Sequence, residues 1–227
     1  MRRVLALASG AEARLTNEHG ALAVVLVNGG TARAVPGTWS ATSELLTDAL
    51  APGFPGVTFA EVRYRVKTWN ELPSCMADAE AALDLVDAAG AERTLLVGFS
   101  MGGAVSIGVA AHPTVDAVVG LAPWIPARLP VDGLVGKRLD VIHGAWDRWL
   151  PGIPGVSPTV SRQGFDRARA LGVEGSYTLI PRGLHGAAVR RPSGELQPLP
   201  GWRAWVEHTR VALQRFVAGP APSPAPA

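Results

Sequence analysis

Leu95-Leu96-Val97-Gly98-Phe99-Ser100-Met101-Gly102-Gly103 is an apolar run that ends in a serine with glycine two residues to either side. The run reads as a short buried strand, and the Gly/Ala/Val-rich residues 102–111 read as a buried helix. Gly98 to Gly102 is then a G-x-S-x-G turn from strand to helix, tight enough to push a serine hydroxyl out above a sheet. Glycine is required at both positions, because in so strained a turn the neighbouring backbone comes too close for a Cβ.

Outward from this turn the chain alternates strands and helices. Downstream, residues 115–121 and 139–143 are further buried strands, closed by Ala122-Pro123-Trp124 and by Gly144-Ala145-Trp146-Asp147. A helix is expected around residues 161–171, a strand at 176–181 and an amphipathic helix at 202–217. Upstream, residues 3–8 and 13–16 form a small antiparallel opening, and 21–27 is a near-continuous apolar strand of the kind buried on both faces. A helix over 38–50 follows, with Thr38 or Ser40 as its cap, then a strand over 57–66. Residues 72–89 show Met76, Ala79, Leu83 and Val86 at helical spacing, and Gly90 ends that helix. The alternation predicts an α/β fold: a mostly parallel sheet of roughly eight strands, with helices on both faces. One domain is expected over residues 1–218, followed by a Pro/Ala-rich tail, 219–227, expected to be disordered.

Composition narrows the function classes. With 48% hydrophobic and 18% charged residues in 227, the chain can bury a large core. A net charge of +2, from 21 basic and 19 acidic residues without a basic run, argues against a nucleic-acid partner. The single Cys75 excludes an internal disulfide framework and a CxxC metal site, and is compatible with a cytoplasmic location. The apolar part of the N-terminus is shorter than a signal peptide needs, and no segment has the roughly 20 apolar residues of a membrane span.

A serine hydroxyl is a poor nucleophile until a base takes its proton. Of the five histidines, His19 lies in an early turn, His112 ends the helix after Ser100, and His208 lies within the last helix. His143 is nearer the chemistry, but its place at a strand end before Gly144 reads as a structural turn. His185 follows the strand 176–181 in the loop Pro181-Arg182-Gly183-Leu184-His185-Gly186, and loops after the carboxyl ends of parallel strands line the functional crevice. Asp147 occupies the equivalent place after the preceding strand. It is positioned to accept a hydrogen bond from one ring nitrogen of His185, leaving the other as base. Asp140 sits at the wrong end of its strand and Asp166 within a helix, which leaves Asp132 as the competitor.

At this point the chain resembles the α/β-hydrolase superfamily over its whole folded body. Its nucleophile, acid and histidine come in the order Ser100, Asp147 and His185, and residues 95–102 supply the nucleophile elbow. The resemblance implies an oxyanion hole made by the N–H of Met101 and one from the loop after the third strand. That loop often begins His-Gly in the family; here it begins Asn28-Gly29, which points to Gly30, with Thr31 as the fallback. Only 14 residues, Ile125 to Arg138, separate Trp124 from the next strand. That is too little for a helical cap, so the site should be open, as in small lidless esterases and dienelactone-hydrolase-like proteins.

The expectation is a serine hydrolase acting on a small-molecule carboxylic ester through an acyl-enzyme, with no metal or organic cofactor. A thioesterase or acyltransferase would use the same three residues, and a ligand-binding protein with a vestigial triad is the alternative from another class. Trp39, Trp69, Trp124, Trp146 and Trp149 all follow strand ends on the presumed active-site side, as an apolar substrate cleft or as loop anchors. Arg63, Arg65 and Lys67, with Arg33, Arg148 and Arg182, would form an anion site if two or more converged. Oligomeric state is left open by the sequence.

Overall fold

The computed structural model describes residues 2–18, 20–148 and 155–219. The chain opens with β1 (Arg3–Ala6) and β2 (Glu12–Thr16), an antiparallel pair, and continues into β3 (Leu22–Val27). The short β4 (Val35–Pro36) precedes α1 (Ala41–Leu50), whose N-cap Ser40 accepts from the N–H of Ser43. β5 (Val57–Arg63), the short β6 (Val66–Lys67) and α2 (Leu72–Ala88) lead to β7 (Arg93–Phe99) and α3 (Met101–Gly108), separated only by Ser100. The second half holds β8 (Val115–Leu121), β9 (Arg138–Gly144), α4 (Pro158–Ala170) and β10 (Glu174–Ile180). A hairpin of β11 (Ala188–Arg190) and β12 (Leu196–Pro198) precedes α5 (Trp202–Ala218).

Eight strands form one sheet in the order β1-β2-β5-β3-β7-β8-β9-β10, in which only β2 runs against the rest. β7, which carries the serine, lies between β3 and β8. Its neighbours' carboxyl ends therefore surround Ser100, and loops from β3, β8, β9 and β10 all open on that edge. No helical cap stands between β8 and β9, where the described segment holds only a single turn of 3₁₀ helix, Asp132–Leu134.

Each central strand contributes to two cores because successive side chains point to opposite faces. Val25, Val27 and Leu96 pack with α2, α3 and α4 through residues such as Ala79, Leu83, Ala104, Ile107 and Phe165. Val24, Leu26, Leu95 and Val97 pack on the other face with α1 and α5, where Leu46, Trp205, Leu213 and Phe216 cover the sheet. The expected strand over 57–66 breaks after Arg63, and its last residues pair instead with β4. The helix expected from residue 38 starts at Ala41, since Ser40 rather than Thr38 makes the cap.

The seam between β3, β7 and α3 leaves no room for a Cβ. A Cβ on Gly102 would overlap the carbonyl oxygen of Val27 and come within 2.6 Å of that of Asn28; one on Gly98 would overlap the carbonyl of Gly102. Backbone on both sides cannot give way as a side chain would. Gly102→Ala should therefore lower stability by about 1–3 kcal/mol, the usual cost of overpacking. Gly133→Ala, whose Cβ finds nothing nearer than 3.6 Å, should stay within about 1 kcal/mol of wild type; urea denaturation of the pair checks both.

Candidate active site

Ser100 has φ 55° and ψ −118°, a backbone conformation that costs a non-glycine residue of order 1–3 kcal/mol. Neighbouring strands hold it there: its N–H donates to Leu121 O at 2.9 Å, and its carbonyl accepts from Gly103 and Trp124, each at 2.9 Å. Its side chain is partly exposed, and among the described residues Oγ has no hydrogen-bond partner.

The β10–β11 loop brings His185 to this edge. Its ring packs at 5.0 Å, centroid to centroid, on Phe99, the residue before the serine. Two anchors fix the loop. Trp146 N–H donates to Gly183 O at 2.9 Å, and on the far side Thr42 Oγ1 accepts from the N–H of Ala187 and of Ala188, at 3.2 and 3.4 Å. His185 Nδ1 lies 2.7 Å from Oδ2 of Asp147, which is buried. Asp132 is exposed and Gly133 beside it packs near the end of α3, so the structure brings Asp147 and not Asp132 to the histidine.

Asp147 has more partners than the sequence suggested. Oδ1 accepts from Val156 N–H at 3.1 Å, and Oδ2 also faces Nε2 of the buried His143 at 3.1 Å. Burial pushes the carboxyl up, but hydrogen bonds from His143 and His185, with their charge, outweigh it and leave the group below its ordinary range. The sequence reads His143 as a structural turn residue, whereas the structure buries it against Asp147. A buried strand is apolar at nearly every position, so its sequence does not say toward which neighbour a lone polar side chain points.

The loop after β3 lies against the serine: a Cβ on Gly29 would be 3.3 Å from that of Ser100, and one on Gly30 would overlap Met101 Sδ. Gly29 N–H is taken by Asn28 Oδ1 at 2.7 Å, whereas among the described residues Gly30 N–H has no acceptor. Met101 is the first residue of α3, so its N–H has no intrahelical partner. Thr31 turns its hydroxyl to Arg33 O.

The tryptophans do not share one wall. Trp124 lines a cavity of about 740 Å³ with Ile125, Pro126, Val160 and Gln163, and Trp39 lines another of about 530 Å³ with Arg63 and Arg190. Trp69 packs against the core and Trp146 is exposed, while Trp149 lies outside the described residues, as do His19 and the tail from residue 220. Arg63 pairs with Glu12, Arg65 with Asp78 at 2.7 Å, and Lys67 donates to Thr38 Oγ1 at 2.8 Å. Among the described residues no cluster of His, Cys, Asp and Glu is arranged to hold a metal ion, and no helix is long and apolar enough to cross a membrane.

A carboxylate held below its usual range stabilises the fold above the pKa of the unfolded chain, about 3.9, and that stabilisation is lost as pH falls through the lower folded value. Asp147→Asn should thus have a urea midpoint below wild type at pH 7, and the gap should narrow as the pH is taken below about 4.

No protein-family model matches the chain, and no curated protein matches its sequence. Solved structures do match. A sugar hydrolase from Lactococcus lactis aligns at TM-score 0.72 and 16% identity, over 96% of this chain and 99% of its own. An α/β serine hydrolase without a lid from Xanthomonas campestris aligns at 0.62 and 16%, over 99% and 96%. A carboxylesterase from Lactobacillus plantarum aligns at 0.65 and 15%, over 94% and 95%. The likeness runs over nearly the whole chain, and the chain has the α/β-hydrolase fold.

Proposed function

We propose that the protein is a serine hydrolase that cleaves carboxylic esters through an acyl-enzyme on Ser100. The observation that carries this reading is the 2.7 Å contact between His185 Nδ1 and Asp147 Oδ2, made beside a serine held at positive φ on the sheet edge. With Nδ1–H bound to the carboxylate, Nε2 is the free base that takes the Ser100 proton as Oγ attacks the ester carbonyl. The tetrahedral oxyanion is met by the N–H groups of Met101 and Gly30, each commonly worth a few kcal/mol in the transition state. Collapse expels the alcohol, protonated by His185, and a water activated by the same nitrogen releases the acid. A free hydroxyl on Ser100 in the resting enzyme is compatible with this, because catalytic hydrogen bonds often tighten only when substrate binds. The buried, unpaired Cys75 suits a cytoplasmic setting.

The cavity beside Trp124 is the acyl site in this reading. Trp124, whose N–H donates to the carbonyl of Ser100, is one of its lining residues, and Ile125, Pro126, Ala127 and Val160 give it an apolar side that favours an apolar group, with Gln163, Asp166 and Arg167 completing the wall.

Ser100→Ala should abolish labelling by a fluorophosphonate probe and lower p-nitrophenyl acetate hydrolysis by about 10³-fold or more. Equal turnover by variant and wild type would overturn the proposal, and labelling without ester turnover would move it toward acyl transfer. Trp124→Ala should raise KM for p-nitrophenyl octanoate about tenfold, equivalent to ~1.4 kcal/mol, while leaving the acetate nearly unaffected; a chain-length series read by steady-state kinetics checks this.

A further inference from the structure

His143, near the end of β9, is fully buried and reaches the same Asp147 oxygen, Oδ2, as His185 does. Its Nε2 lies 3.1 Å from Asp147 Oδ2 and 2.9 Å from Val156 O. Both neighbours are acceptors only, so Nε2 carries a proton and shares it between them. Nδ1 lies 2.7 Å from Oγ of Ser161 on α4, and that oxygen is 2.8 Å from the hydroxyl of Tyr177 on β10. Tyr177 also reaches Pro158 O at 2.9 Å. Ser161 Oγ lies 3.0 Å from the same carbonyl and 2.7 Å from Nδ1; with Tyr177 donating to Pro158 O, the Ser161 hydroxyl donates over the shorter contact to Nδ1, in keeping with the Nε2–H tautomer. Three segments, β9, α4 and β10, thus converge on one ring.

The consequence falls on Asp147. Torsion about the Cβ–carboxyl bond is soft, and the Val156 N–H anchors only Oδ1. A second anchor is needed to aim Oδ2, and His143 Nε2–H supplies it. We infer that His143 is a positioning residue: through Nε2–H it holds the Asp147 carboxylate so that Oδ2 faces His185 Nδ1, and thereby orients the base that serves Ser100. Its catalytic consequence rests on the hydrolase reading above; its hold on Asp147 does not.

The test compares His143→Leu, which keeps bulk but no donor, with His143→Gln, which restores an N–H near the Nε2 position. Leu should lower kcat for p-nitrophenyl acetate about 100-fold at unchanged KM, in line with the cost of misplacing a reacting group. Gln should recover to within about tenfold of wild type, since it rebuilds the outer hydrogen bond. The downfield proton resonance of His185 Nδ1–H should shift in Leu and return toward wild type in Gln. A folded Leu variant within twofold of wild type, equal losses in Leu and Gln, or an unmoved resonance would each overturn the assignment. Should Leu fail to fold, Ser161→Ala keeps the ring and removes its Nδ1 partner. It should lower kcat roughly tenfold, and an unchanged kcat overturns the proposal. If wild type neither hydrolyses the esters nor takes the fluorophosphonate, the hydrolase reading fails. The resonance then decides alone: a shift in Leu reversed in Gln supports the hold on Asp147, and no shift overturns it.

Discussion

The strained backbone of Ser100 is the constraint on which the rest of the site depends. A positive φ at a residue with a Cβ persists only where its surroundings over-determine it. Here β8 and the turn after it take both backbone groups, through Leu121 O and Trp124 N–H, and the carbonyls of Val27, at the end of β3, and of Asn28 after it press against Gly102. The serine is thus fixed by strands on both sides of it, and a helix starts directly behind it. That start leaves the Met101 N–H without an intrahelical partner right after the serine, so one turn supplies both the partly exposed hydroxyl and the neighbouring amide that the proposed mechanism uses.

The second support is a buried charge. An isolated carboxylate as buried as Asp147 would prefer to be protonated. It stays ionised because its two oxygens receive three donors, from Val156, His143 and His185. Those donors come from β9 itself and from segments beyond it, so the charge also ties the acid's turn to the β10–β11 loop. Removing one donor from such a cluster leaves a desolvated oxygen rather than a neutral gap.

Much of this was legible in the sequence, for identifiable reasons. The buried parallel strands declare themselves as apolar runs, and their order of appearance puts Ser100, Asp147 and His185 after the carboxyl ends of β7, β9 and β10. Periodicity also found α2 to within a residue. What it could not reveal is pairing across long separations. Ser161 and Tyr177 carry no motif, and their link to His143 exists only once α4 and β10 have packed beside β9. Likewise Glu61, in the middle of an apolar strand, is satisfied by Arg14, 47 residues earlier, a partnership set by the antiparallel register of β2 and β5. The tryptophans shared a sequence context but not a cavity, because following a strand end sets the edge on which a residue lies and not the direction its ring takes.

Asn28 is the place where the chain departs from the His-Gly opening of the family it resembles, and the structure gives that departure a physical sense. Its Nδ2 donates to Thr38 O at 2.7 Å, tying the loop to the segment before α1. Its Oδ1 takes the N–H of Gly29, and its carbonyl accepts from the Tyr64 hydroxyl at 2.9 Å. A single buried residue therefore pins the loop at three points, two through its side chain and one through its backbone. It also decides which backbone N–H is left over. With Gly29 engaged, the next amide along the loop is that of Gly30, packed against Met101. The side chain makes two of these contacts because asparagine offers a donor and an acceptor from one short planar group; the backbone carbonyl makes the third. Asn28 thus acts as a clamp on this loop, and the proposal of Gly30 as oxyanion donor follows from what the clamp has already used.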